Sequence, residues 1–125
     1  MNSKIVMSSA AVTAGILGFI FLFAPEEVLN FFNAGYMAKP FIQLLGAAIL
    51  GSAASNWISR NLPIGGIYGR PVMAGNMAHF SIGFLLLARA VFNQPENIVL
   101  WILCIIYAVF AIAFSALFFN SPKGT

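Results

Sequence analysis

The chain has 125 residues, of which 61% are hydrophobic and 7% charged, and its mean hydropathy is +0.94. Six Lys and Arg with three Glu cannot coat a water-soluble domain of this length, where about a quarter of residues are ordinarily charged, so the composition excludes a soluble globule. The net charge of +3 is scattered without a basic patch, which excludes a nucleic-acid-binding surface, and the single Cys104 excludes an intrachain disulfide or a thiolate metal cluster.

A hydrocarbon core about 30 Å thick takes about 20 helical residues to cross, and residues 5–24 supply the first such run. Lys4 ahead of it also fits the opening of a signal peptide. Leu22 and Phe23 stand where small residues are wanted before Ala24, so the first helix is expected to be retained. It offers Ala10, Ala14 and Gly18 in one row and Ala11 and Gly15 in another, a surface for close packing against a neighbouring helix.

The segment APEEVLNFFNAG then predicts a short interfacial helix. Pro25 suits its first position, Glu26 and Glu27 complement the dipole, and Gly35 is the expected stop. Val28, Leu29 and Phe32 form one apolar stripe, expected to lie in the headgroup layer with Asn30 and Asn33 turned to water.

The second span, residues 41–59, carries two small-residue rows, Ala47, Gly51, Ser55, Ser59 and Ala48, Ser52, Asn56. Such rows let helices approach closely, so this helix is expected to be the most enclosed and to pair with the first. The connection NLPIGGIYGRP has three Gly and two Pro in eleven residues and cannot be a regular helix. Its apolar Leu62, Ile64, Ile67 and Tyr68 predict a loop folded onto the membrane surface or into the mouth of the bundle. Arg60 and Arg70 bracket it, as positive-inside determinants or as holders of a lipid phosphate or other anion.

The third span, residues 72–92, contains the only histidine, His79, with Asn76 three residues before it and Gly83 four after it on the same helical face. Polar side chains at mid-membrane face protein or enclosed water, and ionisable ones are candidates for function. Gln43, Ser52 and Asn56 of the second span are the expected partners. The residues therefore admit two readings: a histidine held by interhelical hydrogen bonds, or a ligand site made of Gln43, Asn56, Asn76 and His79. Arg89 near the end of this span can reach the interface and pair with Glu26, Glu27 or Glu96. After a turn at residues 93–97, the fourth span, residues 98–119, is uncharged. Its Phe110, Phe114, Phe118 and Phe119 suit lipid or a subunit contact.

Runs this long satisfy their backbone internally as helices. The predicted fold is all-α: an integral membrane four-helix bundle with a short interfacial helix after the first span, forming a single domain over residues 1–125. Lys4, Arg60, Arg70 and Lys123 fall on the side of both termini, against Lys39 and Arg89 opposite, which places the termini in the cytoplasm of a bacterial inner membrane.

The runs FAPEEVLNFF, FIQLLGAAILGSAASNW and GNMAHFSIGFLLL together resemble the DoxX-like superfamily of small four-helix bacterial membrane proteins. The resemblance implies a compact bundle and, through members linked to respiratory or redox membrane complexes, a place beside such assemblies. It carries no catalytic residue onto this chain. A shorter echo, GFIFL at Gly18 and GFLLL at Gly83, relates the two helical hairpins in parallel.

One histidine and no Asp supply neither a haem ligand pair, nor three zinc ligands, nor a Ser-His-Asp triad within one protomer. The expectation is thus no cofactor and no catalytic residue. The protein reads as a binding or accessory subunit for a lipidic or hydrophobic ligand between the second and third spans, with membrane lipid and a homo-oligomer or membrane-complex partner. An oligomeric channel or transporter and a membrane redox enzyme are the alternatives.

Overall fold

A computed structural model describes residues 2–120 of the chain. Lys123, counted above for orientation, and the polar tail at residues 121–125 lie outside the described residues. The described residues are all-α: α1 Ser3–Phe23, α2 Pro25–Phe31, a 3-10 turn Tyr36–Ala38, α3 Lys39–Ser59, α4 Gly69–Asn93 and α5 Ile98–Asn120. Four stretches, Ser3–Phe23, Tyr36–Ser59, Gly69–Asn93 and Ile98–Asn120, are long and apolar enough to cross a membrane. Their outward side chains are those of a lipid-facing surface. Phe41, Ile58, Leu85 and Ile112 are each about two-thirds exposed or more, a distribution that water would not tolerate and acyl chains do. This is a multi-pass membrane protein.

The chain divides into two compact units, residues 7–60, and residue 61 onward with the first few residues of α1. In the first unit, α1 and α3 meet where both lack side chains. A methyl group on Gly18 would stand 2.9 Å from the Gly46 carbonyl oxygen and 3.0 Å from the Leu50 nitrogen; one on Gly46 would stand 3.0 Å from the Gly18 oxygen. The expected pairing of these helices is present, and the row Ala10, Ala14, Gly18 is its buried face on α1. On α3 the buried face is Gly46, Ile49, Ala53, Asn56 and Ser59, and the predicted rows through Ala47, Ala48, Gly51 and Ser55 point outward. Nor is α3 the most enclosed helix: a third of the apolar window of α1 is buried against 17% of that of α3. Small residues mark where helices can approach, and the approach selected here centres on a single glycine pair.

Helix α2 starts with Pro25 at its first turn, where the missing N–H costs nothing. It ends at Phe31, four residues before the expected Gly35. Asn33 takes the left-handed conformation (φ 53°), its N–H bonds the Asn30 carbonyl and the Ala34 N–H bonds the Leu29 carbonyl at 2.9 Å. That is a Schellman stop with asparagine in the glycine's place, tolerated because a short polar side chain adopts this backbone at low cost. Val28 and Leu29 turn their apolar stripe into the protein. They are buried, Val28 in a cluster with Ala14, Phe21, Ile49 and Ala53, with Phe32 packed against it. The apolar stripe of α2 closes its own unit; Asn30 and Asn33 are exposed as expected. Glu26 pairs with Lys39 at 2.7 Å, a partner supplied by the start of α3.

In the second unit, the connection before α4 coils on itself. The Gly66 N–H bonds the Pro63 carbonyl, and Gly69 opens α4 directly against that same carbonyl, leaving no room for a side chain. Arg70 and Pro71 belong to the first turn of α4, which begins earlier than the expected residue 72. Ile67 and Tyr68 of this loop are exposed, while Leu62 and Ile64 are half-buried. Helices α4 and α5 form a hairpin closed by Asn97, whose side-chain oxygen accepts from the Val99 and Leu100 N–H groups, and by Trp101, whose indole N–H donates to the Pro95 carbonyl.

Candidate functional site at the centre of the α4–α5 hairpin

Helical spacing puts Asn76, His79 and Gly83 on one face of α4 and Tyr107, Phe110 and Phe114 on one face of α5. The hairpin brings these faces together. His79 Nε2 and the Tyr107 hydroxyl are 2.9 Å apart, and their rings are 5.3 Å apart. Gly83, one turn beyond His79, lets them meet: the Tyr107 ring lies over it where any side chain would collide. Both rings lie near the middle of their helices, α4 and α5. Neither side chain is fully buried.

The hydrogen bond commits only one of the two imidazole nitrogens. Nδ1 makes no hydrogen bond among the described residues, so its donor or acceptor capacity is open to a ligand. Below the pair, Phe80 packs at 5.0 Å on His79, Tyr107 and Phe110 and stacks on Phe114 at 5.6 Å. Phe80 is 4% exposed and Phe114 is fully buried. The Phe residues of α5 therefore do not all face lipid. Phe114 is the centre of this unit, while Phe119 is the outward one. Each aromatic contact of this kind contributes about 0.5–1.5 kcal/mol beyond simple packing, which holds the two polar rings in fixed orientation.

The other predicted site residues are placed as follows. Asn76 is buried, with its amide N–H donating to the Val72 carbonyl, one turn from His79 on α4. Asn56 is buried on α3 and its amide donates to the Ser52 carbonyl. Gln43 donates to the Leu22 carbonyl at 3.3 Å, satisfying an acceptor that the end of α1 leaves without an intrahelical partner. Gln43 and Asn56 are separated by about 20 Å along the α3 axis. Within its own unit, the partner of His79 is Tyr107 of the fourth span. Tyr107 is inconspicuous inside an apolar run, yet a phenol in a span otherwise poor in polar groups must find an acceptor or donor across a helix interface, which is the sequence signal for it.

Arg60 and Arg70 each cover an aromatic ring. The Arg60 guanidinium lies 3.9 Å above the Trp57 ring and also donates to the Trp57 carbonyl; Arg70 lies 4.5 Å above Phe118. Stacking of this kind orients a guanidinium.

Comparison with protein-family models, curated proteins and solved structures returned no match. The class of protein rests on the helices themselves: an all-α, multi-pass membrane protein carrying a histidine–tyrosine pair within one helical hairpin.

Proposed function

We propose that the protein is a binding or accessory membrane subunit whose α4–α5 hairpin takes the polar headgroup of a lipidic or hydrophobic ligand at mid-membrane depth. The observation that carries this reading is the His79–Tyr107 pair, partly exposed within a lipid-facing helix pair and with imidazole Nδ1 uncommitted. A purely structural histidine gains most by burying both nitrogens against protein partners; one left open at this depth can be satisfied by a headgroup carbonyl or hydroxyl. Asn76 lies on the same helix face, one turn before His79. The distribution of Lys and Arg supports termini on the cytoplasmic side of a bacterial inner membrane, and the DoxX-like resemblance supports a place beside a larger membrane complex.

The test is extraction of the protein purified in mild detergent, with mass analysis of the small amphiphiles that accompany it. Wild type is expected to carry a hydrophobic molecule with a hydrogen-bonding headgroup, lost in His79→Ala and reduced in Tyr107→Phe. Wild type free of any such molecule, or a His79→Ala variant that retains it with unchanged occupancy, overturns the reading.

A further inference from the structure

The first unit carries a feature that the histidine pair does not explain. An open groove of about 300 Å³ runs between α1 and α3, floored by Ala11, Ala53 and Ala54 and walled by Val12, Leu50 and Trp57. That volume is at the lower bound of small-molecule sites, about 300–1,000 Å³. Its shape comes from the small residues: three alanines leave a trough between two helices that the Gly18–Gly46 contact draws together further along. The lining is predominantly apolar, as a site for a hydrocarbon chain should be.

One end of the trough is different. Leu50, Ala53, Ala54 and Trp57 fall on a continuous stripe of α3, and the next position on that stripe is Arg60, the residue that ends the helix. Its guanidinium carbon lies 3.9 Å from the centre of the Trp57 ring. One of its nitrogens donates to the Trp57 carbonyl, and no carboxylate among the described residues neutralises it. An oriented, uncompensated cation at the membrane-surface end of a hydrocarbon trough is complementary to an anion attached to an acyl chain.

We propose that this groove is a site for an anionic phospholipid, with one acyl chain along Ala11, Ala53 and Ala54 and the phosphate on Arg60. Trp57 has two roles: its ring forms the groove wall and fixes the guanidinium. The site lies wholly within the first unit and does not depend on the ligand assigned to His79.

The test uses the full chain in nanodiscs and in detergent, probed by native mass spectrometry with phosphatidylglycerol, phosphatidylcholine and, separately, inorganic phosphate. Phosphatidylglycerol is expected to remain bound in preference to phosphatidylcholine. Arg60→Gln should weaken phosphatidylglycerol roughly tenfold, the factor expected for one lost charge-assisted hydrogen bond, and erase the preference. Ala54→Leu, which fills the trough from an exposed position, should weaken both lipids. Should Arg60→Gln fail to fold by circular dichroism, Arg60→Lys must retain the preference for the anionic lipid. Equal retention of the two lipids, unchanged binding in Ala54→Leu, loss of the preference in a folded Arg60→Lys, or inorganic phosphate binding as tightly as the lipid would each overturn the proposal.

Discussion

His79 on α4 and Tyr107 on α5 join the two helices of the second unit through a single 2.9 Å hydrogen bond set directly over a glycine. Interhelical hydrogen bonds in lipid contribute about 0.6 kcal/mol on average and up to about 2 kcal/mol, because the separated helices also find partners. Tyr107→Phe and His79→Leu should each lower thermal stability in detergent. A double-mutant cycle should return a coupling of about 0.5–2 kcal/mol. Additive effects of the two substitutions would show that the contact carries no energy.

Gly83 makes that contact possible, so Gly83→Ala should displace the Tyr107 ring and cost about 1–3 kcal/mol as overpacking. The cost should largely vanish when Tyr107 is also replaced by Ala, since the collision is with its ring. Unfolding curves of the single and double variants decide this, and a penalty that persists without the ring places the strain elsewhere.

The helices were legible in the sequence because an uncharged run of 20 residues has few ways to satisfy its backbone. Pairings were less legible. Ala10, Ala14 and Gly18 identified the packing face of α1, but Ala47, Ala48 and Gly51 announced a face of α3 that points outward, since small residues permit close approach from any direction and do not name the neighbour. His79 was conspicuous as the only histidine. Its partner was hidden because Tyr107 reads as one more apolar aromatic in the run IVLWILCIIYAVF, and only the hairpin geometry shows which hydroxyl arrives at that depth. Asn33 is hidden for a different reason: the glycine two residues on is the more obvious left-handed stop, and Asn adopts that backbone less often.

The glycines of the first unit make a matched pair of tests. Gly18→Ala places a methyl group within 3.0 Å of backbone atoms of Gly46 and Leu50, which cannot move as a side-chain tip can, so it should destabilise by about 1–3 kcal/mol. Gly51→Ala meets nothing within 4 Å and should be neutral or stabilising by up to about 1 kcal/mol through helix propensity. Denaturation in detergent measures both; equal effects would contradict the observed crossing.

The Glu26–Lys39 pair should give stability a dependence on acid pH. Its hydrogen bond from Lys39 holds the Glu26 carboxyl below the usual glutamate value. A carboxyl whose value is lower in the folded than in the unfolded state contributes stability that is fully present above the unfolded value and is lost as pH falls through the folded one. The melting temperature of wild type should therefore exceed that of Glu26→Gln above about pH 5, and the difference should close as the pH drops below about 4. High salt should shrink it, because the pair is partly exposed. A difference that is constant from acid to neutral pH would exclude the carboxylate as its source.

Phe114 and Phe119 separate packing from lipid contact on one helix. Phe114 is fully buried, stacked on Phe80 at 5.6 Å, whereas Phe119 is 74% exposed. In water, truncating a buried Phe to Ala costs about 3–5 kcal/mol, part of it transfer free energy. In a membrane the unfolded reference is already surrounded by hydrocarbon, so the transfer part disappears and the cavity part remains. Phe114→Ala should therefore cost about 2 kcal/mol, and it should also loosen the His79–Tyr107 pair, because Phe80 supports both rings from below. Phe119→Ala should stay within about 0.5 kcal/mol of wild type. Thermal unfolding gives the first quantity, and the tyrosine fluorescence of Tyr107, isolated in a background where the other tyrosines and both tryptophans are replaced by Phe, gives the second. If Phe119→Ala proves the more damaging substitution, the outward face of α5 is an interface with another chain and not with lipid.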